Sequence, residues 1–454
     1  MAIQSTNPMT GKVEKSFDEY SSAETSAILN SVADAYSTWK LSSLEQRADC
    51  LRNLAVLLRE RADHFAELMA AEMGKPLKSG RAEVLKSATV CDFYADNGAA
   101  MLASEPKTVD GMQCSVEYAP MGTVLAVMPW NYPVWQVLRI AVPTLMAGNT
   151  MLLKHAPNVP QCALAIEELF RESMFPENVF RTLIVGTGQV EDVLAEDSVI
   201  GVCLTGSVRA GRAVAALAGA HLKRSVMELG GSDAFVVLAD ADLDKAAATG
   251  AESRCSNAGQ ACIAAKRFIV HNDVYDEFVG KLKERMESVP MGNPLDENTV
   301  MGPMASHQFR DNLIGQVNSC LKAGGKVVCG GEVPEAEGAF YPPTIITDVP
   351  FESQAGRDEI FGPVALVFRA ESEEKAMEMA NDSAFGLGGS VWTSDVEKGL
   401  RLARQIEAGL VYVNGRVSSR PPLPFGGVKN SGYGRELSTY GIREFVNVKS
   451  VCIG

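Results

Sequence analysis

The stretch SNAGQACIAAKRFIV, Ser256 to Val270, sets Cys262 behind a run of small residues and ahead of a basic pair and a β-branched run. A thiol in that setting is either a small buried hydrophobe or a nucleophile able to bond an electrophilic carbon. Gly259 and Ala261 would leave room beside the sulfur, while Asn257 and Gln260 carry amides that need partners if buried. Upstream, Glu228 precedes the glycine pair Gly230 and Gly231. It is either a surface carboxylate at a turn or a general base beside a cleft that the glycines let a ligand approach.

Two further stretches could contribute. In MPWNYP, Asn131 sits between Trp130 and Tyr132 with a proline at each end, so the segment is a rigid loop rather than a strand or helix interior. Its amide is either a turn former or a donor to an oxyanion. In LTGSVRAGR, Gly206, Ser207 and Gly211 follow the strand-like VIGVC and open a helix. The spacing is not the six-position dinucleotide fingerprint. The context still offers a phosphate free N–H groups, a positive helix dipole and the Ser207 hydroxyl.

Other chemistries find less support. The five histidines, at 64, 155, 221, 271 and 307, show no metal-ligand spacing, and Cys320 with Cys329 has no second pair, so no metal is expected. There is no nucleophile elbow and no Walker loop. A net charge of −14 leaves no basic surplus for nucleic acid. The apolar stretch from Gly122 to Leu153 is interrupted by Asn131, Arg139 and prolines, which argues against a membrane span. Ten irregularly placed cysteines and an N-terminal region without a secretory pattern lead to an expectation of reduced thiols and a cytoplasmic location.

The elements that must position these residues follow from periodicity. Residues 24–74 read as helices closed by Gly74. From GTVLAVMPW onward strand-like and helical runs alternate twice over, which predicts two α/β domains with parallel sheets. KTVDGMQCSVEYAP, around Asp110-Gly111, and the tail REFVNVKSVCI alternate as edge strands do, so a strand-mediated oligomer contact is expected.

Taken together, MELGGSD, NAGQACIAAKR, VMPWNYP, LTGSVRAG, EIFGPV and PFGGVKNSGYGRE resemble the aldehyde dehydrogenase superfamily over essentially the whole chain. The resemblance implies an α/β fold with a Rossmann-type cofactor domain (1–101 and 121–227), an α/β catalytic domain (228–427) and a small β oligomerisation arm (102–120 and 428–454). It implies Cys262 as nucleophile, Asn131 with the Cys262 backbone N–H as oxyanion hole, and Glu228 as base. The chemistry would be NAD(P)-dependent oxidation of an aldehyde to an acid, by way of a thiohemiacetal and a thioester on Cys262. A homodimer or homotetramer is implied as well.

For the cofactor, the resemblance places Trp130 near the pyrophosphate, Gly206, Ser207 and Gly211 at the phosphate turn, and Glu359 and Phe361 at the nicotinamide ribose. Leu229 is counted with them, and Lys154 would reach the adenosine ribose. Pro157 stands where NAD-specific members often carry a glutamate, so a 2′-phosphate is neither repelled nor welcomed; NAD is expected, with NADP possible.

For the substrate, Arg139 lies in a helical apolar stretch where an unpaired guanidinium is costly, so it should face a cavity or a partner. Members that oxidise succinate semialdehyde share an arginine there to hold the distal carboxylate. Their second arginine is replaced by Ser256, and Ser419 or Arg420 would either compensate at the entrance or belong to an ordinary loop. Succinate semialdehyde is the substrate expected, with another aliphatic or aromatic aldehyde as the alternative. A non-redox cysteine hydrolase or esterase is the rival from another class. Acyl transfer to coenzyme A is disfavoured by Glu228, since members that perform it generally lack this base.

Overall fold

The structure, a computed structural model, describes residues 3–454. Helices Ser22–Trp39, Leu44–Glu60 and Ala62–Met73 occupy the N-terminal region that periodicity marks as helical, and a fourth helix, Leu77–Met101, follows beyond Gly74. Ser21 and Ser43 start the first two through capping boxes with Glu24 and Gln46. Gly74 ends the third at φ 73°, a left-handed conformation that glycine adopts without strain.

These helices cover a six-stranded sheet. Its order across the sheet is Gly432–Tyr433, Arg224–Glu228, Val199–Thr205, Thr123–Met128, Thr150–His155 and Phe180–Thr182. The chain runs outward from Thr123–Met128 in one direction, then returns to place Val199–Thr205 on its other side. The carboxyl ends of those two central strands therefore flank the topological switch point, where open α/β sheets bind ligands. Both MPWNYP and LTGSVRAGR emerge there. Strand Thr150–His155 is buried at every position, as a parallel strand covered on both faces should be.

A second sheet of seven strands contains Asp233–Val237, Ala265–His271, Val364–Ala370, Thr344–Thr347, Gly388–Trp392 and Leu410–Val413 in parallel, with Lys326–Cys329 antiparallel at one edge. The two predicted α/β sheets are thus present, and the fold class is α/β. Among the described residues no helix is long and apolar enough to cross a membrane.

The hairpin expected around Asp110-Gly111 forms between Glu105–Val109 and Met112–Pro120. Asp110 at φ 52° and Gly111 at φ 83° supply the two positive angles that a tight two-residue hairpin turn requires. Strand Val446–Ile453 pairs antiparallel with Met112–Pro120 from Val446 opposite Pro120 to Ile453 opposite Gln113. The expected arm segment 428–454 needs correction, because it divides. Val428–Lys429 pairs with Phe385–Gly386, and Gly432–Tyr433 joins the six-stranded sheet beside Glu228; only Val446–Ile453 enters the arm. Short glycine-rich pairings such as Gly432 with Glu228 carry too little hydrophobic pattern to be read from sequence.

Asn149 ties the arm to the six-stranded sheet. Its Oδ1 accepts from the N–H of Met121 at 2.7 Å and of Gly122 at 3.1 Å, and its Nδ2 donates to the carbonyl of Phe445 at 2.8 Å. The residue is fully buried. Asn149→Ala would strand buried backbone groups on both chain segments, so a stability loss of about 2–4 kcal/mol is expected in denaturant titration. A loss below about 0.5 kcal/mol would show that this junction contributes little.

Candidate active site

Cys262 lies between the 3-10 turn Ser256–Gly259 and strand Ala265–His271. Three consecutive residues ahead of it are left-handed: Asn257 at φ 54°, Ala258 at φ 51° and Gly259 at φ 70°. A Cβ on Gly259 would collide with the backbone of Gly362 in EIFGPV. Gly259 is therefore explained by this close approach and its backbone angle, and not by room for a substrate carbon as the sequence suggests.

Buried polar groups hold this conformation. Arg254 donates to the carbonyls of Ala265 (3.0 Å) and Gly259. Lys266 Nζ donates to the carbonyls of Ala261 at 2.9 Å and Cys262 at 2.7 Å, and lies 3.5 Å from Glu359. Gln260 Oε1 accepts from the N–H of Ala305 at 3.0 Å, which locks the loop to the neighbouring segment.

The Asn131 loop docks directly onto this turn. Asn131 Nδ2 donates to the carbonyl of Gln260 at 3.0 Å, and Asn257 Nδ2 donates to the carbonyl of Asn131 at 2.9 Å. Because a carbonyl only accepts, the first bond fixes the orientation of the Asn131 amide and leaves its second N–H free. Sequence reasoning misses the pair that supports it. Lys75 and Glu83 form a fully buried ion pair; Lys75 Nζ donates to the Asn131 carbonyl at 2.9 Å and stands 4.0 Å over the Tyr132 ring. Glu83 Oε1 accepts from the N–H groups of Val134 and Trp135, capping the helix Trp135–Met146 that follows the loop. His155 Nε2 bonds the carbonyl of Pro133 at 3.0 Å, and burial pushes this imidazole down to about 4, so it stays neutral.

Glu228 ends strand Arg224–Glu228 and is buried, with neither carboxylate oxygen hydrogen-bonded among the described residues. The surface reading of this residue is thereby excluded. Its turn reaches the Cys262 loop, since a Cβ on Gly231 would sit 2.7 Å from the Cys262 carbonyl. Gly426, at φ 151°, makes space on the other side: a Cβ there would lie 2.6 Å from Glu228 Oε1. Burial first, then Glu436, hold the Glu228 carboxyl well above the usual range, with Arg139 opposing. Burial likewise pushes the Cys262 thiol up to about 11 against the opposing pull of Lys266 and Arg139.

Arg139 finds the partner its burial demands. Its guanidinium pairs with Glu436, which no sequence argument flagged, and lies 4.2 Å over the Phe425 ring. Glu436 also accepts from the Cys203 thiol at 3.2 Å. The Arg139 charge is therefore already engaged inside the protein. Ser419 is buried and accepts from Lys86 Nζ at 2.9 Å, while Arg420 is exposed. Arg416, on the same loop, pairs with Glu252 at 2.7 Å.

The crevice at the switch point has the groups a dinucleotide requires. Ser207 caps the helix Val208–Ala220 by accepting from the Ala210 N–H at 3.2 Å, which leaves its own hydrogen and the Val208 and Arg209 N–H groups available to a phosphate. Lys154 is buried, its Nζ bonded to the carbonyl of His155 and to no carboxylate among the described residues. Pro157 is exposed beyond it and accepts from the Gln4 N–H. Glu359 Oε1 accepts from the Gly231 N–H at 3.0 Å, and Gly230 has no Cβ that would obstruct Oε2. Trp130 stacks on Phe309 at 4.5 Å and meets Phe361 edge-on at 6.0 Å. A Cβ on Gly206 would meet only the Leu204 and Ala210 side chains at ordinary contact distance, whereas Gly211 is packed against Leu229, so close helix-to-strand packing accounts for Gly211 where the sequence suggests a phosphate contact.

Residues 1–451 match the sequence model of the Aldehyde dehydrogenase family. The chain belongs to that family. It is 47% identical to succinate-semialdehyde dehydrogenase [NADP(+)] 1 of Mycobacterium ulcerans, over 100% of both chains. It is 46% identical to a probable succinate-semialdehyde dehydrogenase [NADP(+)] of Synechocystis, again over 100% of both. The crystal structure of succinic semialdehyde dehydrogenase from Streptococcus pyogenes with NADP+ superposes with a TM-score of 0.97 at 38% identity, covering 99% of each chain. This aldehyde dehydrogenase therefore shares its whole architecture with these relatives.

Removing the Arg139 charge isolates two buried carboxylates. Arg139→Ala is expected to cost about 3–5 kcal/mol of stability, and the double variant Arg139→Met/Glu436→Gln to recover more than half of it, in chemical denaturation. Equal stability of wild type and Arg139→Ala would refute the ion pair as a structural necessity.

Proposed function

We propose that this enzyme oxidises succinate semialdehyde to succinate through a covalent intermediate on Cys262. The observation that carries the reading is the docking of the Asn131 amide and the Glu228 turn on the loop that bears the thiol. The Cys262 thiolate attacks the aldehyde carbon, and the carbonyl π electrons move to oxygen. The free N–H of Asn131 and the Cys262 backbone N–H donate to that oxyanion. A nicotinamide dinucleotide, when bound, would supply the acceptor for the hydride that leaves the tetrahedral carbon; the sulfur of Cys262 is left in a thioester. Trp130, Gly206, Ser207, Lys154, Leu229, Glu359 and Phe361 would hold it. Glu228, ionised, takes a proton from water; hydroxide attacks the thioester, the C–S bond breaks and the thiolate returns.

The raised pKa of Glu228 serves this last step, because a carboxylate that prefers its proton is a stronger base near neutral pH. The substrate's distal carboxylate is assigned to the loop that carries Ser419 and the exposed Arg420. NADP is proposed as the better cofactor, which reverses the leaning toward NAD from sequence. Lys154 carries no ion pair among the described residues, Pro157 offers no acid to repel a 2′-phosphate, and the two relatives above are named for NADP(+). The exposed strand Val446–Ile453, with Val448, Val451 and Ile453 open, supports a homodimer or homotetramer built through the arm. The ten free cysteines fit a reducing, cytoplasmic compartment.

Initial rates with succinate semialdehyde and butanal, each with NADP and NAD, test the reading. Succinate semialdehyde with NADP is expected to give the highest kcat/KM. Comparable values for the two aldehydes would overturn the substrate, and faster turnover with NAD would overturn the cofactor. Glu228→Gln should release about one equivalent of reduced cofactor per site in a burst and then turn over roughly 10²- to 10⁴-fold more slowly. The same variant should melt no lower than wild type at neutral pH. The folded-state pKa lies above the unfolded one, so ionisation opposes folding as pH rises past the unfolded value, and the amide removes that penalty.

A further inference from the structure

Lys86 lies on the long helix Leu77–Met101, a part of the chain that no sequence motif marks. It is half-buried, and its Nζ has two neighbours: the Ser419 hydroxyl at 2.9 Å and the face of Trp135 at 4.1 Å. It forms no ion pair among the described residues, whereas the other cations around it are engaged or exposed. Arg139 is paired with Glu436, Arg416 with Glu252, and Arg420 points to solvent. The carboxylate closest in sequence, Glu83 one turn earlier on the same helix, is held by Lys75 and by two backbone N–H groups.

A largely desolvated ammonium without an anion is unfavourable in the free protein and favours whatever anion reaches it. Trp135, beneath the ammonium, opens the helix that carries Arg139 one turn later, and the Asn131 loop leads directly into that helix. Ser419 lies on the loop that follows strand Leu410–Val413, so the ammonium bridges the helix entered from the Asn131 loop and the loop that carries Ser419 and Arg420.

We propose that Lys86, oriented by Ser419 and Trp135, is the specificity-determining residue that receives the distal carboxylate of the substrate. It replaces the second arginine whose position is taken by Ser256, and it supplies the free charge that Arg139, held by Glu436, does not. This rests on the semialdehyde reading above. Burial first, then Arg139, with Arg416 and Arg420 adding and Glu83 opposing, pull the Lys86 ammonium down to about 8. Below that pH the anchor is charged; above it the neutral amine no longer pairs with a carboxylate.

The test is the ratio of kcat/KM for succinate semialdehyde to that for butanal, a comparison that cancels changes in Cys262 or cofactor binding common to both. In Lys86→Met the ratio should fall about 10- to 100-fold, with the change carried mainly by KM for the semialdehyde, while Lys86→Arg should stay within about threefold of wild type. In wild type the ratio should decline as pH rises through 8, and in Lys86→Met it should be flat. A preference that survives in Lys86→Met, or a wild-type ratio that is constant from pH 6.5 to 9.5, overturns the anchor and leaves the semialdehyde reading intact. A wild-type enzyme with no preference overturns the semialdehyde reading itself, and the anchor with it.

Discussion

The backbone carbonyl of Asn131 is the junction on which the site depends. It accepts from Lys75, which belongs to the helical layer over the six-stranded sheet, and from Asn257, which belongs to the turn beneath Cys262. The Asn131 side chain returns the contact by donating to Gln260. A reaction that needs a thiol from one sheet and an amide donor from the other requires the two to keep register within a few tenths of an ångström. Three hydrogen bonds meeting at one residue between two rigid sheets provide that register. The flanking prolines and the neutral His155 on Pro133 remove the loop's remaining freedom.

The second constraint is electrostatic. Closing the site off from water raises the proton affinity of every acid in it: Glu228, Glu436 and Cys262 are all shifted upward by burial. Arg139 lowers all three, so a single guanidinium opposes the burial of two carboxyls and a thiol. Glu436 receives the direct ion pair and Glu228 receives none. That asymmetry separates two acids in the same enclosure: one is held in an ion pair, the other has no partner among the described residues.

The parts of this arrangement that are legible in sequence are those with a local cause. Asp110-Gly111 demands a hairpin, Gly74 ends a helix, and the prolines of MPWNYP force a loop, whatever the rest of the chain does. The strand and helix alternation gives both sheets for the same reason. What is not legible is contact between residues far apart in the chain. Glu83 and Lys75 read as ordinary helix and turn residues until the fold brings them to Asn131, and Glu436 reads as a charge in a glycine-rich loop until Arg139 reaches it. Gly259 and Gly211 were visible as glycines, but their reasons, the backbones and side chains of Gly362 and Leu229, are tertiary. The division of 428–454 among three sheets escapes notice because strands of two residues have no period to detect.

The unpaired carboxyl of Glu228 also shows why such a site must be supported so heavily elsewhere. An acid held above its ordinary pKa in the folded state lowers stability at neutral pH, because the unfolded chain is free to ionise. The enclosure that exacts this cost also raises the basicity of the ionised form. Arg254, Lys266, Lys75 and Glu83 are all buried charges that touch backbone carbonyls or N–H groups in the loops around Cys262 and Asn131. Each is engaged by fixed dipoles or by an ion pair, so each rigidifies a loop. The Glu228 carboxyl is left without a hydrogen bond among the described residues, and that isolation suits it to the role of base proposed above.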